Sequence, residues 1–196
     1  MNKYLKFTIA IISFALVIVL ANVLYNKLAK DYDMGDGLVT EDTTVSTEKD
    51  TQSESDTEKN IAPDFTVVDK DNEQVNLESF FGKPIVLNFW ASWCGPCKSE
   101  FPEFQTAYEE YGEEIEFLMV NMTDGRRETK ELADTFIQSE GYSLPVYYDV
   151  NQDGAYTYGV YSLPTTYFID SQGNLVAYAQ GAIDMDTLKK GIDMIR

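Results

Sequence analysis

The chain has 196 residues, room for one domain and a flanking segment, and its 33 acidic against 15 basic residues give a formal net charge of −18. That balance leaves no basic cluster to hold a nucleic-acid backbone. There is no histidine and there are two cysteines, Cys94 and Cys97, which excludes Ser-His-Asp and Cys-His catalysis, His-ligated haem and His-containing zinc sites. A metal held by these cysteines would lack two strong ligands, so no metal and no cofactor are expected, and a single C-x-x-C remains.

Charge divides the chain into three blocks. Residues 1–30 carry Lys3, Lys6, Lys27 and Lys30 and no acid, residues 31–60 carry ten acids against Lys49 and Lys59, and residues 61–196 carry 23 acids against nine bases. From Phe7 to Leu24 no residue is charged, and eighteen helical residues reach about 27 Å, close to the thickness of a bilayer core. The flanking lysines favour a cytoplasmic N-terminus, which would place the rest of the chain on the extracytoplasmic side of the cell membrane. A cleaved signal peptide ending near Val19-Leu20-Ala21 is the competing reading; the length of the run favours a retained signal anchor. Residues 31–60, dominated by Asp, Glu, Ser and Thr, bury too little apolar surface to offset their ordering entropy, and are expected to be a disordered acidic tether.

Within 61–196, residues 65–68 and the nearly all-apolar 85–91 read as strands, the second covered on both faces. After Cys94 a helical pattern runs through Phe101, Phe104 and Tyr108 to Gly112. Residues 115–121 form the next strand, and 129–140 a helix closed by Gly141. Residues 146–148 and 165–169 read as strands, Ser171-Gln-Gly-Asn174 turns the latter into a hairpin with 175–179, and 184–195 is a terminal helix. Alternating strand and helix followed by a hairpin define an α/β layer, parallel at first and antiparallel at its end.

Trp93-Cys94-Gly95-Pro96-Cys97 falls where the apolar strand stops and a helix starts. A helix N-terminus presents unpaired N–H groups and about half a positive charge, which favours a thiolate at Cys94. Cys97, one turn later, returns to the same face within disulfide reach. Pro96 is tolerated because first-turn N–H groups have no intrahelical partner.

Residues 88–102, Asn-Phe-Trp-Ala-Ser-Trp-Cys-Gly-Pro-Cys-Lys-Ser-Glu-Phe-Pro, together with Leu-Pro-Thr-Thr-Tyr-Phe-Ile-Asp at 163–170, resemble the thioredoxin superfamily. More narrowly the chain is similar to the membrane-anchored extracytoplasmic proteins of the TlpA and ResA type, from about Ala62 to the terminal helix. The resemblance implies a thioredoxin-like fold: a central mixed sheet with helices on both faces, an N-terminal strand extension and a helical insertion at 129–140. It implies a thiol-disulfide oxidoreductase in which Cys94 attacks, Cys97 resolves, and a cis-proline at Pro164, flanked by Leu163 and Thr165 on the substrate side, faces the pair. Substrates in the family include apocytochrome c and oxidised extracytoplasmic enzymes such as methionine sulfoxide reductase, with electrons supplied by a membrane thiol carrier. Where cytosolic thioredoxin has a buried aspartate this chain has Asn88, which cannot titrate. Glu100, three residues after Cys97, matches a carboxylate of the ResA type and is expected to take over the proton handling.

Gly-Pro between the cysteines resembles thioredoxin, whose potential is about −270 mV against about −120 mV for the strong periplasmic oxidant, so a reductant of exported proteins is expected. A disulfide-forming oxidase is the alternative. A peroxidase would need Thr or Ser where Ala91 stands, and a copper chaperone of this superfamily would usually bring a histidine. Four weaker signals are set aside. Asp149–Gly154 resembles half a calcium loop but has Val160 at the position requiring an acid, and is expected to be a turn. Asn121-Met-Thr123 is a glycosylation sequon by composition only. Tyr147, Tyr148, Tyr156, Tyr158, Tyr161 and Tyr167 are expected to bury their rings and wet their hydroxyls. Arg126-Arg127 is expected to be a solvated loop.

Overall fold

The computed structural model describes residues 38–40 and 60–196. The 7–24 run, and most of the 31–60 tether, lie outside the described residues. Among those described, no helix is long and apolar enough to cross a membrane.

The frame is an eight-stranded sheet: β1 (Leu38–Thr40), β2 (Thr66–Val68), β3 (Gln74–Asn76), β4 (Ile85–Trp90), β5 (Glu116–Asn121), β6 (Val146–Tyr148), β7 (Thr165–Ile169) and β8 (Leu175–Gln180). Their spatial order is β1-β8-β7-β4-β5-β6-β2-β3. β4, β5 and β6 run parallel; β7 and β8 join antiparallel on one side and β2 and β3 on the other. Four helices complete the fold: α1 (Gly95–Tyr111), α2 (Lys130–Glu140), α3 (Asp153–Thr157) and α4 (Met185–Ile195), with a 3-10 turn at Leu77–Phe80.

Strand β4 is buried at every position, and its alternate residues go to two cores. Val86 and Trp90 pack with Phe101 and Phe104 of α1, with Ala133 of α2, and with Leu188 and Ile192 of α4. Ile85, Leu87 and Phe89 pack on the opposite face with Phe65, Val67 and Leu77. The sheet is thus covered on both faces, one by the three long helices and the other by the N-terminal extension, the 3-10 turn and α3. On the first face Phe101 meets Trp90 at 4.7 Å and Phe136 at 5.2 Å between ring centroids, which ties the insertion helix α2 to α1; removing such a buried ring costs about 3–5 kcal/mol.

Helix boundaries follow side-chain caps. Thr129 accepts the Leu132 N–H at the start of α2, and Asp184 accepts the Thr187 N–H at the start of α4. Gly141 ends α2 in the left-handed region, where glycine carries no Cβ penalty. The expected hairpin turn is present: Asp170 Oδ1 accepts the N–H groups of Gln172 and Asn174.

One expectation is corrected here. Leu38–Thr40, inside the stretch read as a disordered tether, forms a strand paired antiparallel with Ala177–Ala179 of β8. These residues form strands readily, β8 offers an unpaired ladder, and Leu38 packs against the first core. Three elements are additional to those expected: β3, the 3-10 turn and α3. The last occupies the end of the calcium-like stretch, where Asp149 Oδ2 accepts the Ala155 N–H at 2.8 Å, a turn cap and not an open loop.

Candidate active site

The site forms where β4 ends in the sheet's centre. After Trp90 the chain turns through Ala91, the Cys94 N–H donating to the Ala91 carbonyl at 3.1 Å, and Cys94 becomes the N-cap of α1. Cys94 Sγ accepts the Cys97 N–H at 3.2 Å. The two cysteines are joined as a disulfide with Cα atoms 5.3 Å apart. Their exposure differs: Cys94 retains 4 % and Cys97 none. Gly95 and Pro96 are exposed between them.

Glu100 lies on the buried side of α1, 1 % exposed. Its Oε1 accepts from Asn88 Nδ2 at 2.9 Å and its Oε2 from the Ile183 N–H at 3.1 Å. Burial pushes its pKa up to about 8, opposed by those two hydrogen bonds, which favour the charged form. Asn88 Nδ2 also donates to Thr166 Oγ1 at 3.0 Å, while Asn88 Oδ1 is buried without a partner among the described residues. The amide at position 88 is therefore a hydrogen-bond bridge between α1 and β7.

The Leu163–Pro164 peptide is cis. Pro164 is buried, and Leu163 lines an open groove of about 510 Å³ together with Trp93, Cys94, Met122, Arg127 and Tyr161. Thr165 is a correction to the expected substrate-facing set: its side chain is 1 % exposed and its hydroxyl donates to the Ser162 carbonyl. As the first residue of β7 it alternates inward, so it shapes the turn before Pro164 and does not line the groove.

Two features escaped the sequence reading. Glu128 is a fully buried carboxylate: Oε1 accepts from the Ser92 N–H at 2.8 Å and Asn121 Nδ2 at 2.7 Å, and Oε2 from Ser92 Oγ at 2.8 Å. It pins the loop before Cys94 to the end of β5. Asn121 and Thr123, the two sequon residues, are consumed in the same network, Thr123 Oγ1 donating to Asn121 Oδ1. The second is the groove's rim. Arg127 stacks on Trp93 at 3.4 Å from the ring centroid, so the arginine pair is not merely solvated. Tyr161 and Tyr156 are 94 % and 89 % exposed, correcting the expectation that their rings are buried.

A cysteine pair at the N-terminus of a central helix, on a mixed sheet and sharing its groove with the residue before a cis-proline, marks a thioredoxin-like thiol-disulfide oxidoreductase. A model of the AhpC/TSA family matches residues 59–178, and the chain belongs to that family. It is 38% identical over 133 residues to the thiol-disulfide oxidoreductase ResA of Oceanobacillus iheyensis, covering 65% of this chain and 67% of that protein. To ResA of Bacillus subtilis it is 31% identical, over 73% of this chain and 78% of the relative. Among solved structures, the exposed lipoprotein thioredoxin of Streptococcus pneumoniae superposes with a TM-score of 0.57 at 33% identity, covering 67% of this chain and 98% of that one.

Proposed function

We propose that this domain, tethered to the outer face of the cell membrane by the 7–24 segment, reduces disulfides in exported proteins. The observation that carries the chemistry is the division of the pair: Cys94 at the edge of a groove, Cys97 sealed behind it on the helix that also carries the buried Glu100. Cys94 thiolate attacks one sulfur of a substrate disulfide, forming a mixed disulfide and releasing the other sulfur as a thiolate that takes up a proton. Cys97 then gives its proton to the Glu100 carboxylate and attacks Cys94 Sγ, which releases the second substrate thiolate. Two electrons pass to the substrate and the Cys94–Cys97 disulfide remains. In that oxidised state a pKa of about 8 keeps Glu100 protonated at neutral pH, which is where the sequence of steps leaves the proton. Return to the dithiol, with electrons from a membrane thiol carrier, runs the transfer backwards and gives Cys97 its proton from Glu100. Trp93, Gly95, Pro96, Leu163 and Pro164 shape the surface on which the substrate lies. Gly-Pro within the motif supports the reducing direction, and apocytochrome c or an oxidised exported enzyme fits the substrate class. Ala91, buried three residues before Cys94, supplies no hydroxyl for a peroxidase.

Thiol trapping of the pair in living cells tests the direction. A pair found mostly as dithiol is expected; a pair found mostly as disulfide assigns a disulfide-forming oxidase instead. Cys97→Ser is expected to accumulate mixed disulfides through Cys94.

A further inference from the structure

The chain's negative charge breaks down at one place beside the reactive sulfur. Arg126 and Arg127 are both exposed in the loop after β5, and neither has a carboxylate within ion-pair distance among the described residues. The Arg127 guanidinium carbon lies 3.4 Å from the ring centroid of Trp93, the residue next to Cys94, and both residues line the groove. The loop that presents it is itself built: Asp124 Oδ1 accepts the N–H groups of Arg126, Arg127 and Glu128 at 2.8, 2.8 and 2.9 Å. Asp124, the one acid on the groove's lining, is thereby engaged with its own loop. Glu128, next along, anchors the same loop to Ser92. One rigid connection thus fixes both the attacking cysteine's approach and the guanidinium beside it. Tyr161, almost wholly exposed, lines the same groove and offers an aromatic ring to it.

From this we infer that Arg127 is a specificity residue: it selects protein disulfides whose attacked cysteine has a carboxylate side chain close to it in an extended segment. The inference rests on the reading of Cys94 as the attacking sulfur. A stacked guanidinium keeps its edge N–H groups free, and those pair with a carboxylate in two parallel hydrogen bonds. The pairing orients the segment across Cys94, with Tyr161 of the same groove as a further contact. An exposed charge pair is a modest discriminator, so the preference is about five- to tenfold at low ionic strength and shrinks as salt is added.

The test uses two extended peptides of equal length, each closed by one disulfide, with Glu or Lys on either side of the attacked cysteine. Their binding to the oxidised full chain is followed through Trp93 fluorescence, and their reduction by the dithiol form is followed in single turnover. The Glu peptide is expected to bind and react about five- to tenfold better, the ratio to fall to about one in Arg127→Gln, and to invert in Arg127→Glu. A ratio near one in the parent protein, or one that Arg127→Glu leaves unchanged, overturns the inference. Tighter binding of a free peptide of residues 41–59 than of the Glu peptide also overturns it, because the groove would then belong to the chain's own acidic segment. Preferential binding without reduction of either peptide would sustain Arg127's role and defeat the reading of the cysteine pair, so the two failures are distinct.

Discussion

Replacing Glu100 by Gln removes one titrating proton from the core at little cost in shape. Gln Oε1 takes over the Ile183 N–H, and its amide nitrogen needs an acceptor where Asn88 now presents a donor. Rotation of the Asn88 amide supplies one, since Asn88 Oδ1 is unpartnered in its present orientation and Thr166 Oγ1 can donate to it after the turn. The rotation leaves Asn88 Nδ2 where Oδ1 had no partner, so the direct loss is about 1–3 kcal/mol. The electrostatic consequence is larger. Unfolded chain loses the Glu100 proton near 4.5, and the folded protein keeps it up to about 8. In that window the native state binds more protons than the unfolded state, so this group's contribution is fully present below pH 4.5 and is lost as pH rises through about 8. At about 1.4 kcal/mol per pH unit the window is worth at most about 5 kcal/mol. Urea unfolding of the oxidised protein and of Glu100→Gln at pH 5, 6.5 and 8 measures it. The variant is expected to be weaker by about 1–3 kcal/mol at pH 5 and more stable by about 1–3 kcal/mol at pH 8, because its own slope from this site is gone. Single-turnover reduction of a model disulfide is expected to slow about ten- to a hundredfold at neutral pH. Parallel stability profiles for the two proteins would refute the assignment of Glu100 as a buried, neutral acid, and an unchanged rate and pH profile would remove it from the proton's path.

Three other outcomes are expected. In the reduced protein, iodoacetamide should modify Cys94 well before Cys97, the sulfur with no exposed surface; mass mapping showing Cys97 labelled first would reverse the roles. Gly191→Ala should lose about 1–3 kcal/mol in thermal or urea unfolding, since a Cβ there would lie 2.3 Å from the Phe168 ring, and unaltered stability would contradict the packing of α4 on β7. Fractionation should place the intact chain in membranes, with external protease releasing the domain by cuts within residues 41–59, whereas a soluble secreted product beginning at Asn22 would assign a cleaved signal.

The sequence displays the elements whose signals are local. Strand β4 is an almost continuous apolar run, α1 begins with a cysteine cap and a first-turn proline, and Thr129 and Gly141 bracket α2 with chemistry that needs no knowledge of the fold. Glu100 is legible through the resemblance to the ResA type, to which its place one turn beyond Cys97 adds support. The missing elements depend on distant partners. β1 is a strand only because β8 is beside it, and β3 presents Gln74 and Asn76 with a single apolar residue between them. α3 is five residues long and contains Gly154, kept small by the Phe65 ring, 2.7 Å from where its Cβ would be; too short for a helical period, it reads as a turn. Glu128 and Ser92 meet across 36 positions, and nothing in either neighbourhood announces the contact. The Arg127–Trp93 stack is equally non-local, which is why the arginines read as an ordinary loop.

The order of the sheet also governs what one copy of this protein presents to another. A bare strand edge is a template for pairing with any chain that drifts alongside, and the danger grows when many copies are confined to one surface. At one boundary the ladder of β8 is occupied by Leu38–Thr40, contributed by the chain itself. At the other, β3 offers three residues, two of them exposed polar side chains, too short and too wet to recruit a neighbour. The most regular strands, β4 and β5, lie in the middle with their backbone groups satisfied on both sides. Copies held on one membrane, as proposed, would therefore bring reactive cysteines close together while offering one another sheet edges only three residues long.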